Sequence, residues 1–146
     1  MTVFADSSAL VTLYADESGR AAWISEEPIV VGQLARVEVP AALWRKHRLG
    51  ELGPEATRVL LDDFEADYFG TADELPRFAP VTVTGALLDV AARLCAAHGL
   101  RAYDAVQLSC ALAARRADPG CVSFAAYDHT LRRAAAVEGF RLLPER

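Results

Sequence analysis

Lysine is almost missing from this chain: of its 15 basic residues only Lys46 is lysine, and the rest are arginine. Phosphate-loop enzymes and aspartyl-phosphate enzymes of the haloacid-dehalogenase kind both need a lysine beside the reacting phosphate. Lys46 stands between Arg45 and His47, far along a helical pattern, and suits neither role. An aspartyl-phosphate enzyme would also carry a second Asp two residues after Asp6, where this chain has Ser8. The glycine signatures G-x-x-x-x-G-K-[ST], G-x-G-x-x-G and G-x-S-x-G are missing as well, which removes the common nucleotide sites and the serine-hydrolase elbow. Cys95, Cys110 and Cys121 lack C-x-x-C spacing, and His47, His98 and His129 are scattered, so a zinc site is not expected. Cys95 and Cys110 fall inside helical patterns and read as small core residues in a reducing cytosol. No apolar run approaches the ~18 residues of a membrane span, and no basic-then-apolar signal opens the chain. A cytoplasmic protein without a membrane partner is the expectation.

Positive charge is also short. A net charge of -5 argues against a domain that coats nucleic acid, because such domains are usually basic. It leaves open one that cuts nucleic acid, since an acidic site gains its cations from solution. What is present is an ordinary globular composition, 53% apolar and 24% charged over 146 residues. That length suits one domain spanning 1–146, with a core large enough to need no staples.

The apolar patterning alternates strands and helices. Strands are expected at Thr2–Ala5, Pro28–Val31, Val81–Val83, Cys121–Ala125 and Phe140–Leu143. Helices are expected at Ser7–Ala15, Gly19–Ser25, Gln33–Arg48, Pro54–Phe69, Thr84–His98, Ala105–Arg116 and His129–Glu138. Thr84 suits an N-cap and Gly99 a helix C-terminus. Strands separated by helices imply a three-layer α/β/α sandwich with a mostly parallel central sheet.

Four acids stand out against that frame. Asp6 ends the first strand, where open α/β sheets hold their ligands. Glu38 shares a helix face with Leu34, Ala41 and Ala42, so it sits in an apolar stripe. A buried carboxylate needs a partner, either an arginine or a cation. Asp104 and Asp128 stand at helix starts, and Asp104 with Gln107 fits a capping box. Each acid therefore has a structural reading as a cap or an ion-pair member. Together, from four separate segments, they also form an oxygen-rich rim suited to Mg²⁺ or Mn²⁺ and to hydrolysis of a phosphodiester by activated water. The run Asp62, Asp63, Glu65 and Asp67 reads as a solvated face. Arg45–Arg48, Arg115-Arg116 and Arg132-Arg133 suit phosphate contacts or solvent equally, and Arg101 suits a salt bridge to Asp104 or Glu38.

At this point the residues resemble a known family. Asp6-Ser7-Ser8-Ala9-Leu10, Glu38 in its helix, Arg101-Ala-Tyr-Asp104-Ala105-Val106-Gln107-Leu108 and Phe124-Ala-Ala-Tyr-Asp128 are similar to PIN-domain ribonucleases. In length and order they resemble the VapC-type toxins of toxin–antitoxin pairs, from Val3 to Leu143. The resemblance implies Asp6, Glu38, Asp104 and Asp128 as a catalytic Mg²⁺/Mn²⁺ site with Ser8 as a nearby hydroxyl. It also implies an RNA substrate, a VapB-type antitoxin, homodimers, and products with 5′-phosphate and 3′-hydroxyl ends. Many relatives carry Thr or Ser two residues before the last Asp, where this chain has Ala126, which makes Asp128 the weakest match. A non-catalytic PIN-like module that binds RNA or protein is the alternative.

Overall fold

The computed structural model describes residues 2–15, 23 and 28–145. Short β-branched and aromatic runs form five strands: β1 (Thr2–Ala5), β2 (Ile29–Gly32), β3 (Phe78–Val81), β4 (Cys121–Ala125) and β5 (Arg141–Leu143). The described helices are α1 (Ser7–Val11), α2 (Ala35–Arg48), α3 (Pro54–Phe69), α4 (Gly85–His98), α5 (Ala102–Ala117) and α6 (His129–Val137). All strand pairs are parallel, in the order β3-β2-β1-β4-β5. The sheet is thus wholly parallel, one step stricter than the mostly parallel sheet expected, and helices cover both of its faces.

Side chains alternate across β1, and the core divides accordingly. Phe4 faces one layer with Leu108, Phe124, Leu131 and Phe140. Val3 and Ala5 face the other with Leu10, Ile29, Val31, Val39, Leu43 and Phe64. Phe124 is fully buried, with its ring centroid 5.5 Å from Phe4 and 5.7 Å from Phe140. The strand order fixes where a site can form. From β1 the chain winds outward through β2 and β3, then returns to β1's other side for β4 and β5. The carboxyl ends of β1 and β4 flank that reversal, the place where open α/β sheets hold their ligands.

Several elements differ from the pattern-based expectation. The third strand runs over Phe78–Val81 rather than Val81–Val83, in register with all of β2. Buried Phe78 anchors it, packing 6.2 Å from the Phe64 ring. Pro80 is tolerated because β3 is an edge strand. Val83 instead donates its N–H to the Gln33 side chain at 2.9 Å. Helix α1 stops at Val11 rather than Ala15. The Thr12 hydroxyl turns back to the Ala9 carbonyl at 2.6 Å and accepts from the Trp23 indole at 2.9 Å. Helix α5 begins at Ala102, one turn early, so Asp104 lies inside it and the expected Asp104–Gln107 capping box does not form. Phe140 precedes β5 and fills the core beneath Arg115. The expected helix Gly19–Ser25 lies, apart from Trp23, outside the described residues.

Other ends follow the capping chemistry. Thr84 accepts from the Leu87 N–H, and Gly99 closes α4 with φ of 67°, a conformation that costs other residues more. Helix α3 keeps the expected bounds Pro54–Phe69, and among its acids Asp67 accepts from the Tyr14 hydroxyl at 2.6 Å. Since Phe124 joins three elements, Phe124→Ala should lower unfolding free energy by about 3–5 kcal/mol in urea titration.

Candidate metal centre

Asp6 leaves β1 with its backbone N–H bonded to the Ala125 carbonyl of β4 at 3.0 Å, so the sheet places it at the β1/β4 reversal. It caps α1 as expected: Oδ1 accepts from the Ala9 N–H at 2.9 Å and from the Ser8 hydroxyl at 2.7 Å. The residue is only 4% exposed. Burial pushes its pKa up to about 7; the Ser8 and Ala9 hydrogen bonds oppose that, and repulsion from Asp104 and Glu38 adds to it. Three of the four acids are therefore close enough to act on one another.

Glu38 lies in the first turn of α2, near the positive end of the helix dipole. Among the described residues its partners are not arginines. Oε1 accepts from Gln107 Nε2 at 2.7 Å and from the Ser7 hydroxyl at 3.1 Å. Burial raises its pKa, these hydrogen bonds lower it, and Asp104 raises it again. Asp104 sits in the first turn of α5, where Oδ2 accepts from Arg101 Nη2 at 3.1 Å and Nε at 3.3 Å. Asp128 caps α6 through Oδ2, which accepts from the Leu131 N–H at 2.9 Å. Its Oδ1 lies 3.8 Å from Arg101 Nη2. Arg101 thus bridges Asp104 and Asp128, and does not reach Glu38. It is 80% exposed, so water screens the pairing and the guanidinium is easily displaced.

Ser8 does more than donate to Asp6: it accepts from the Tyr127 N–H at 3.3 Å, tying the end of β1 to the segment that carries Asp128. Ala126, fully buried, puts no hydroxyl there. Sequence reading missed Ser7 and Gln107. The signal for Gln107 was its spacing, three residues after Asp104 on the same helix face, between Val106 and Leu108. Beside Glu38 a cavity of about 460 Å³ opens, lined also by Leu34, Val37, Ala41 and Tyr103.

Two of the arginines considered for phosphate are otherwise engaged. Arg115 donates to the Glu138 carbonyl at 2.8 Å and stacks on Phe140. Arg132 donates to the carbonyls of Ala126, Leu143 and Pro144. Arg45, Arg48, Arg116 and Arg133 are exposed.

Among the described residues no three His, Cys, Asp or Glu side chains close into a ready-made metal cage. The acids instead stand around a rim, with only oxygen donors. Mg²⁺ is commonly held that way, by one or two carboxylates with waters completing the shell. Asp6, buried and repelled by Asp104 and Glu38, with those acids adding only carboxylate oxygens, is a donor set that a divalent cation fits.

The raised pKa of Asp6 has a sign that can be tested on metal-free protein. Below about pH 4 the acid is protonated in folded and unfolded chains alike, and nothing is lost. Between there and pH 7 the unfolded chain ionises first, so folding weakens, and above pH 7 the deficit is constant. Asp6→Asn, which keeps the shape, should therefore raise stability by about 2–4 kcal/mol near pH 8 and leave it unchanged near pH 3.5. Urea titrations in chelator at the two pH values check this.

The PIN-domain family profile matches residues 3–137. The chain is 36% identical to ribonuclease VapC45 of Mycobacterium tuberculosis (strain CDC 1551 / Oshkosh), over 97% of this chain and 94% of that protein. It is equally similar, over the same shares, to ribonuclease VapC49 of Mycobacterium tuberculosis (strain ATCC 25618 / H37Rv). Its fold is like the crystal structure of PAE2754 from Pyrobaculum aerophilum, with a TM-score of 0.59 and 20% identity over 98% of this chain and 90% of that one. By profile and by whole-length identity, the chain belongs to the PIN-domain family, in its VapC-type branch.

Proposed function

We propose that this protein is a VapC-type endoribonuclease, dependent on Mg²⁺ or Mn²⁺ and neutralised by a VapB-type antitoxin. The observation that carries the reading is Asp6: a carboxylate buried at the sheet's reversal, repelled by Glu38 and Asp104. Asp6, Glu38, Asp104 and Asp128 would hold the cation, which when bound activates water and offsets the charge of the reacting phosphate. The protein's own part is to aim oxygens. Ser8 and the Ala9 N–H hold Asp6 by Oδ1, and Arg101 holds Asp104 by Oδ2. That leaves Asp6 Oδ2, Glu38 Oε2 and Asp104 Oδ1 without a hydrogen bond from any described residue. These oxygens are the ones available to the cation and to the proton of an attacking water. In the reaction, water oxygen bonds to phosphorus, the P–O3′ bond breaks, and O3′ takes a proton. The cavity beside Glu38, with the exposed Tyr103 ring on its wall, has room for a nucleobase of the substrate to stack on that ring.

A cytoplasmic location and a homodimer go with this reading. No helix among the described residues is long and apolar enough to cross a membrane. A second reading rests on Ala126 and on Asp128's engagement as a helix cap: a non-catalytic module that binds RNA or a protein. It predicts no Mn²⁺ binding by calorimetry at millimolar concentration.

Protein freed of antitoxin should cut RNA with Mg²⁺ or Mn²⁺ and stop when EDTA is added. Asp6→Asn and Asp104→Asn should each lower kcat by about 100-fold or more, with the fold intact by circular dichroism. Undiminished cleavage by either variant overturns the metal site.

A further inference from the structure

Gln107 is 2% exposed in the middle of the core, yet its amide is only half satisfied. Nε2 donates to Glu38 Oε1 at 2.7 Å and to the Ser7 hydroxyl at 3.0 Å, while Ser7 itself donates to the same Glu38 oxygen at 3.1 Å. The other end, Oε1, is buried with no partner among the described residues. It packs toward Gly32 at the end of β2, where a Cβ would lie 3.2 Å away. A buried carbonyl without a donor costs stability, and a leucine would fill the same space without that cost. The amide therefore makes sense for what its nitrogen does. Both donors converge on one oxygen of Glu38, and no described residue donates to Oε2.

We propose that Gln107 is a positioning residue for the reaction: with Ser7 it saturates Glu38 Oε1, so that Oε2 alone is turned free toward the cation. The three groups come from α5, α1 and α2, so the clamp also sets the distance between Glu38 and the end of β1. Outer partners that fix a ligating carboxylate change metal affinity by about 10–100-fold when removed. This inference rests on the metal reading above, and its test separates the two.

The experiment measures Mn²⁺ affinity by calorimetry, with kcat and KM on an RNA that the wild type cuts. Gln107→Leu should keep the fold and melting temperature within a few degrees, weaken Mn²⁺ binding about 10–100-fold and lower kcat, with KM for RNA unchanged. Ser7→Ala, which removes the longer of the two hydrogen bonds, should have a smaller effect in the same direction and serves if Gln107→Leu does not fold. Because Gln107 acts through Glu38, the Gln107→Leu/Glu38→Gln double variant should bind no more weakly than Glu38→Gln alone. Wild-type Mn²⁺ affinity in both Gln107→Leu and Ser7→Ala, or full additivity in the double variant, overturns the positioning role. A wild type that binds no Mn²⁺ overturns the metal reading, and the role falls with it.

Discussion

The carboxylate of Asp6 is buried at the end of the central strand, and much of the surrounding structure follows from that one placement. A charge in that position needs neighbours that stabilise it. The protein supplies two hydrogen bonds, to Oδ1, and then sets two more acids near enough to work against ionisation. Such an arrangement is poor as a structural device, since an asparagine would cap α1 as well without repulsion. As the proposed cation seat it is sensible, because the charge that destabilises the fold is what would attract an ion.

The sheet topology explains why those acids meet. The winding reverses between β1 and β4, and in open α/β sheets the covering helices diverge at such a reversal and leave room above the strand ends. Asp6 stands there because it follows β1, and Asp128 because it follows β4 by three residues. Glu38 and Asp104 arrive on the first turns of α2 and α5, with the positive helix ends nearby. The rim is built from four separate segments, and small local elements around each acid fix its direction: Ser8 for Asp6, Ser7 and Gln107 for Glu38, Arg101 for Asp104 and Asp128.

Local chemistry was a good guide wherever a short segment decides its own conformation. Thr84 and Asp6 cap their helices because each stands at a helix boundary with its side-chain oxygen in reach of the free N–H three residues on. The Asp104–Gln107 pair shows the limit. Its spacing fits a cap, but the same spacing also places two side chains on one face inside a helix, and the helix began a turn earlier. The third strand shows a different limit. Val81–Val83 has the stronger strand character, yet pairing with β2 and the burial of Phe78 drew the sheet onto a segment containing a proline.

From sequence alone followed the alternation of strands and helices, the layered fold, most helix caps and the four acids as candidates, because periodicity and capping depend on near neighbours. Their convergence in space, the partner of Glu38 and the bridging by Arg101 were decided by tertiary structure. Arg101 stands three residues from Asp104 but 27 from Asp128, and Gln107 lies 69 residues from Glu38. No local pattern carries such distances. The family resemblance pointed to the acids, but which oxygen of Glu38 is tied and which is free is a matter of packing among three helices.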